Sequence, residues 1–357
     1  MNMQSAVLST YSDGAKEVQA ELCCPVDYDT SLLKMLPQEI VEKDYGCGDP
    51  SRYVREGDTV VDLGSGGGKI CYMAAHLAGE NGAIIGIDMN DDMLSLARKY
   101  QDEMAKKMGG DRVRFVKGHI QDLALDLEAL DKYLTANPVN SADAYHDLIA
   151  WKSKQRNKSP LIADNSVDLV ISNCVLNLVS DAEKIQLINE IFRVLKPGGR
   201  VAISDIVSDE YVPDHLKADP KLWSGCISGA FQEQEFADVF IDAGFVGACY
   251  DKWDAAPWQT VEGIEFRSVT LTASKPLVSN DDTVHEVIYQ GPFAEICDDY
   301  GNIFVRGEKT PVDAESCAAL FSGAYQNLFT DCNASLGYSA ESNGCCAPAA
   351  NEKSSCC

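Results

Sequence analysis

The sequence predicts an α/β fold, a parallel sheet with helices on both faces. Three observations predict it. Short apolar runs alternate with helical-period segments between residues 58 and 207, the pattern of crossover-linked parallel strands. The first run, "DTVVDL", passes straight into a glycine-rich turn and then a helix, "GSGGGKICYMAAHLAG". The second, "GAIIGIDMN", ends on an acid, Asp88, 24 residues after Gly64.

The elements follow in order. Residues 1–55 read as a lead-in with helical segments and thiols. In "DTSLLKMLPQEIVEKDYG", Asp29 or Thr30 is the N-cap candidate, and Leu32, Leu33, Leu36, Ile40 and Val41 supply the apolar positions. Residues 56–208 carry the sheet. Its two opening strands are followed by an amphipathic helix, "DDMLSLARKYQDEMAKKMG", that stops at Gly109. Then come the strand "VRFVKGHIQDL", a buried strand over Val167–Ser172, the helix "DAEKIQLINEIFRVLKPGG" and the strand "RVAISDIV". Residues 126–164 interrupt this pattern as a polar, helical surface insertion. Residues 209–280 hold "GFVGACYDKWDA" and "EFRSVTLTASKP", two strands that extend the sheet. Residues 281–330 read as a small strand-rich module with a hairpin turn at "DDYGN" and a short helix, "DAESCAALFSG". Residues 331–357, rich in Ser, Asn, Ala, Gly and Cys, are expected to be disordered.

Composition narrows the function classes. The 357 residues, 45% hydrophobic, are enough to bury a sizeable core. No apolar run approaches the roughly 18 residues of a membrane span, and the N-terminus lacks a secretory pattern. The expected compartment is the cytoplasm. A net charge of −25 repels nucleic acid and anionic lipid, so neither is expected as a partner. The 14 cysteines include no CxxC pair, which removes zinc-ribbon spacing. Thiol chemistry or the binding of a soft element fits better in a reducing compartment.

The glycine-rich turn reads D-x-G-x-G-x-G through Asp62, Gly64, Gly66 and Gly68. Glycines let a backbone pass close to a ligand, and the helix N-terminus that follows presents unsatisfied N–H groups. Asp88 stands where an acid accepts hydrogen bonds from a ribose diol. A dinucleotide fingerprint needs Gly or Ala where Lys69 stands, so that pattern fails. The turn resembles motif I of the class I S-adenosylmethionine (SAM)-dependent methyltransferases, and "VLKPGGRVAISD" resembles a helix–turn–strand of the same Rossmann-like fold. The resemblance implies SAM as cofactor. Its expected contacts are Asp62, Gly64, Ser65, Gly66 and Gly68 around the turn, and Asp88 and Met89 at the second strand end. Tyr45 is expected to flank it, and Ile120, beside His119, to supply an apolar adenine contact. Asn173 either contacts SAM or caps a strand end.

A narrower resemblance rests on "DYGCG" (44–48), "GGKICY" (67–72), "ISNCVLNLV" (171–179) and "LWSGCISGA" (222–230). In order and content these are similar to the arsenite methyltransferases, over roughly residues 20–250. The family implies that Cys47, Cys174 and Cys226 bind trivalent arsenic, and that Cys23 or Cys24 takes part in thiol exchange. It implies arsenite and methylarsenite as substrates, with glutathione or thioredoxin as thiol reductant. Lys69 and Ile70 depart from the Arg-Asp pair usual there. The chemistry agrees: trivalent arsenic is soft and prefers thiolates, and its lone pair needs no general base. Cys71, Cys249, Cys297 and Cys317 read instead as small core residues.

Two other readings remain. A methyltransferase acting on carbon or oxygen of a small organic molecule has no need of Cys47, Cys174 and Cys226. A non-catalytic, thiol-rich metalloid-binding protein has no need of Asp62, Asp88 or the glycine turn.

Overall fold

Residues 59–274 are organised by a nine-stranded mixed sheet. The structure, a computed structural model, describes residues 3–19, 26–277, 283–321, 325 and 327–332. Cys23, Cys24 and residues from 333 on lie outside the described residues. The tail expected to be disordered from residue 331 is corrected at its start, because Asp331 pairs with Val287 in a strand and Cys332 N–H donates to the Glu286 carbonyl.

The chain opens with α1 (Met3–Lys16), α2 (Thr30–Leu33) and α3 (Gln38–Glu42). The first half of the sheet domain is β1 (Thr59–Leu63), α4 (Lys69–Ala78), β2 (Ala83–Asp88), α5 (Asp91–Lys99), α6 (Gln101–Met108) and β3 (Val113–Lys117). After α7 (Leu127–Ala136) and α8 (Ala142–Lys158) come β4 (Val167–Asn173), α9 (Asp181–Val194) and β5 (Leu195–Ser208). Then follow α10 (Asp214–Lys217), α11 (Pro220–Ser224), β6 (Phe231–Gln232), α12 (Glu233–Asp242), β7 (Val246–Trp253), β8 (Gln259–Val261) and β9 (Ile264–Ser274). The last described elements are β10 (His285–Tyr289), β11 (Glu295–Cys297), β12 (Ile303–Val305), β13 (Lys309–Val312), α13 (Ala314–Leu320) and β14 (Phe329–Asp331).

The strand order is β3-β2-β1-β4-β5-β9-β7, with β6 on β5 and β8 on β9. Strands β3, β2, β1, β4 and β5 are parallel. The extension is not: β9 runs antiparallel to both β5 and β7. The expected parallel sheet is found in these five strands. The sequence leaves the direction of the two extending strands open, and the reason for the reversal is local. Glu262 and Gly263 both take positive φ, closing a two-residue hairpin that sends β9 back along the sheet.

Successive strand residues point to opposite faces, and each face has its own core. Val60, Leu169 and Ile171 pack against α4 residues such as Ile70 and Met73. Val61, Leu63 and Val170 pack with Leu187, Ile188 and Ile191 of α9. The chain leaves β1 toward β2 and β3, then returns to β4 on the other side. Such a reversal opens a crevice at the carboxyl ends of β1 and β4.

Local breaks explain where helices differ from expectation. Pro37 divides the lead-in helix into α2 and α3, since it cannot donate to a preceding turn. Asp29 caps α2 through Ser31 N–H. The helix expected after Asp88 bends at Tyr100 into α5 and α6, and ends on left-handed Gly109. The insertion forms α7 and α8, neither with a buried residue. It is held by a Tyr133–Trp151 stack and by Arg156, which donates twice to the Asp122 carboxylate. At the C-terminal end β13-β10-β14 form a small sheet, and β11 and β12 a separate hairpin. Among the described residues no helix is long and apolar enough to cross a membrane.

Candidate active site

A cavity of about 370 Å³ opens at the carboxyl ends of β1, β2 and β4. Its floor is the glycine turn, where Asp62, Gly64, Ser65, Gly66 and Gly67 line the wall. Gly64 needs to be glycine: its φ is +69°, and a Cβ would stand 2.5 Å from Val175. A Cβ on Gly66 would meet nothing within 4 Å, so the turn leaves open space toward the cavity. Ser65 Oγ is buried on that wall with no hydrogen-bond partner among the described residues. Such a wall has both room and a spare polar group for a bound molecule.

Asp88 ends β2 and accepts from the N–H of Gly66 at 2.9 Å and of Asn90 at 2.8 Å. Asp62 is buried and accepts from the Cys71 thiol at 3.2 Å. Burial pushes its carboxyl up to about 7, against the opposing pull of that hydrogen bond, and the nearby Asp44 and Asp88 push the same way. Asp88 is also raised by burial. Met89, Gly118, His119 and Ile120 form the far wall, and burial lowers the His119 pKa.

At the other end Cys174 lines the cavity, and Cys47 and Cys226 lie buried behind it without lining it. Cys47 and Cys174 form a disulfide across 127 residues. Cys226 stays outside it, with its Sγ 3.0 Å from the Cys174 carbonyl oxygen. Cys174 and Cys226 have φ of +58° and +61°, in the left-handed region that side chains other than glycine rarely adopt. Strained positions of this kind persist only when surroundings hold them, and they cluster at functional sites.

The surroundings here are specific. Asn173 Oδ1 accepts from the N–H groups of Cys47 (2.9 Å) and Gly48 (3.0 Å), and its Nδ2 donates to the Gly48 carbonyl (2.8 Å). Asn177 Nδ2 donates to the carbonyls of Ile206 and Cys226. Asp205, fully buried, accepts from the N–H groups of Leu176 and Ile206. Ser268 Oγ donates to the Cys47 carbonyl at 2.7 Å. The glycines around Cys47 exist because of these neighbours: a Cβ would lie 2.1 Å from Asn173 Nδ2 at Gly46, and 2.3 Å from Ser204 Oγ at Gly48.

Of the residues singled out in the sequence, Tyr45, Asp62, Gly64, Ser65, Gly66, Asp88, Met89, Ile120, Asn173 and Cys174 line the cavity. Gly68 does not. It starts α4 with φ +87° and packs under Phe115, so its role is conformational. The Asn173 amide spends its hydrogen bonds on the Cys47 loop and on Tyr28 Oη. Lys69 is buried in an ion pair with Asp44 and lies over the Tyr28 ring, 3.6 Å from its centroid, tying α4 to the 44–48 loop. Ile70 lines the cavity.

Sequence reasoning missed α1, which crosses the rim and lines the cavity with Met3, Gln4, Val7, Leu8 and Tyr11. Tyr11 Oη reaches to 3.9 Å from Cys226 Sγ, and burial, then the neighbouring thiol, raises its pKa far above the usual range. Tyr45 Oη donates to the Gly14 carbonyl and so binds α1 to the site. Trp223, three residues before Cys226, also lines the cavity.

The chain matches a methyltransferase-domain family over residues 55–150 and 152–244, and a domain of unknown function over residues 278–355. It is 30% identical over 353 residues to the arsenite methyltransferase of Mus musculus, covering 94% of this chain and 84% of that one. The chain belongs to the arsenite methyltransferase family. The Homo sapiens arsenite methyltransferase is 29% identical over 312 residues, 83% of this chain and 73% of the relative. An arsenic (III) S-adenosylmethionine methyltransferase from Chlamydomonas reinhardtii has the same architecture, with TM-score 0.58 and 26% identity over 86% of this chain and 96% of that structure. The protein is therefore an enzyme with the class I SAM-dependent methyltransferase fold. The open space at Gly66 and the unsatisfied Ser65 hydroxyl fit SAM as its cofactor.

Proposed function

We propose that this arsenite methyltransferase family member methylates trivalent arsenic held by the thiolates of Cys47, Cys174 and Cys226. One observation carries the reading. Three cysteines from distant parts of the chain gather around Cys174, which lines the cofactor cavity, and two of them have strained backbone conformations.

SAM supplies an electrophilic methyl group when bound. Everything else falls to the chain. The glycine turn would give the cofactor close backbone contact, Asp62 would hold its cationic methionine portion, and Asp88 would accept from its ribose. The thiolates fix the arsenic, whose lone pair is the nucleophile. With SAM bound, a C–As bond would form as the methyl's C–S bond breaks, the released electron pair staying on sulfur. No proton has to leave the nucleophile, so positioning within about 3–3.5 Å is the main requirement.

The Cys47–Cys174 disulfide has to be reduced before both sulfurs can hold arsenic. This supports a thiol reductant, glutathione or thioredoxin, as co-substrate, and a reducing compartment such as the cytoplasm. Arsenite and methylarsenite are the expected substrates. Cys23 or Cys24 is proposed for thiol exchange. The residue groups 1–55, 56–208, 209–280, 281–330 and 331–357 are proposed as its functional divisions.

The test mixes reduced protein with SAM and arsenite, or with a panel of small organic acceptors, and reads methylated arsenic by mass spectrometry. Methylarsenical should form with the parent and be lost in Cys174→Ser. No methylarsenical from the parent, or a serine variant that behaves like the parent, would sink the reading.

A further inference from the structure

Far along the chain from the arsenic thiols, the C-terminal module gathers a second set of soft and borderline donors. His285 lies on β10, Cys317 on α13 and Asp331 on β14. One ligand-capable atom from each lies within 4.8 Å of the other two. The ladder explains the meeting. Val287 pairs with Asp331, and His285 is two residues from Val287, so the histidine and the aspartate share one face. Cys317 packs with Val287 in the same hydrophobic cluster, so α13 lies over that face.

Two further facts point to a ligand. His285 Nδ1 is buried and has no hydrogen-bond partner among the described residues. A buried ring nitrogen without a partner costs free energy unless something occupies it. The module is also small. Its core is a cluster built on Val287, Tyr289, Phe304, Val312 and Phe329, on strands of three to five residues, with Leu320 from α13. Units of this size commonly need a metal or a cross-link to hold together.

We propose that His285, Cys317 and Asp331 form a site for a zinc-class divalent cation, distinct from the arsenic thiols. One imidazole, one thiolate and one carboxylate are the mixed donor set that suits zinc, with its tetrahedral preference and bonds of about 2.0–2.3 Å. A small closing of the three donors completes it, and water takes the fourth position. A single thiolate gives trivalent arsenic little to hold. The cation joins β10, α13 and β14, elements otherwise linked by short ladders and one small cluster. The cysteine spacing concealed the site because its donors are 32 and 14 residues apart and only one is a cysteine.

The test uses the full-length, reduced and chelator-stripped protein, titrated with zinc(II) against a competing chromophoric chelator, and separately with cobalt(II). The parent and Cys226→Ser should each bind one equivalent more than His285→Asn or Cys317→Ser. The cobalt form should show a thiolate-to-metal charge-transfer band that Cys317→Ser loses. In the parent, zinc should slow alkylation of Cys317, read by mass spectrometry, which needs no variant to fold. Equal stoichiometry in parent and both site variants overturns the proposal. So does a Cys317 alkylation rate that zinc leaves unchanged.

Discussion

The side-chain amide of Asn173 grips the backbone of Cys47, 126 residues earlier in the chain, through the Cys47 N–H at 2.9 Å. The same amide holds Gly48 at both its N–H and its carbonyl. One side chain at the end of β4 thus positions one thiol while its neighbour, Cys174, supplies another.

Removing that grip should separate arsenic chemistry from cofactor binding. Asn173→Ala leaves two N–H groups and one carbonyl without their partner, costing about 1–3 kcal/mol of stability. Turnover with arsenite should fall by about a hundredfold, the size of effect a misplaced reacting group produces. The dissociation constant of SAM, measured by calorimetry, should change much less. A variant that loses both equally would make Asn173 a cofactor contact instead.

The glycines give a matched pair. Gly46→Ala forces a Cβ against Asn173 at 2.1 Å, so arsenite binding should weaken while SAM binding persists. Gly66→Ala meets no protein atom within 4 Å, but its φ of +50° costs about 1 kcal/mol and the methyl enters the cofactor space. SAM affinity should fall there, with arsenite binding retained. Fluorescence titration of each variant with each ligand checks the crossing pattern.

The pH dependence of SAM affinity follows from Asp62. Burial raises its carboxyl to about 7, so it is neutral below that pH and charged above it. SAM carries a cationic methionine portion. Its affinity should therefore rise as pH increases through about 7, and Asp62→Asn should flatten the profile.

Stability should run the other way in the acid range. Asp205 is fully buried and its carboxyl is also raised to about 7. The folded state keeps this proton where the unfolded chain, with an ordinary pKa near 3.9, has lost it. The stabilisation is complete below about pH 4 and is lost as pH rises toward about 7, with a slope of up to about 1.4 kcal/mol per pH unit from this group. Denaturant melts of the parent and Asp205→Asn between those limits should differ in slope. Equal slopes would mean that Asp205 ionises freely in the fold.

The disulfide makes a redox prediction. Oxidised protein should bind no arsenite, because two of the three sulfurs are spent on each other. Reduction should restore binding and lower the melting temperature, since opening a 127-residue loop removes up to about 4–5 kcal/mol of cross-link stabilisation. Melting and arsenite binding measured on the same oxidised and reduced samples test both halves.

Much of this molecule was legible in one dimension. The period-2 and period-3.6 patterns marked the parallel strands and their helices, because burial on a sheet face or a helix stripe writes itself into residue spacing. The glycine turn and Asp88 were legible for a related reason: close approach of a ligand to backbone restricts residue choice locally. The order and content of the four cysteine-bearing stretches pointed to the family. The reversal of β9 was hidden, since strand direction depends on the positive φ of Glu262 and Gly263 and not on hydrophobic pattern. Helix α1 was hidden too, because its buried residues, Ala6, Val7, Gly14 and Ala15, are small or few, and its value lies in what it covers.

The sequence by itself determined the α/β class and the cofactor turn, and it singled out Cys47, Cys174 and Cys226 from the other cysteines. Only the tertiary structure decided which thiols meet. Cys47, Cys174 and Cys226 are brought together by the C-terminal rim of the sheet and held by Asn173, Asn177 and Asp205, while His285, Cys317 and Asp331 converge in a separate module. The physical reason is that donor sets form through long-range ladders and buried side-chain hydrogen bonds. Those interactions act across tens to hundreds of residues and leave no local period in the chain.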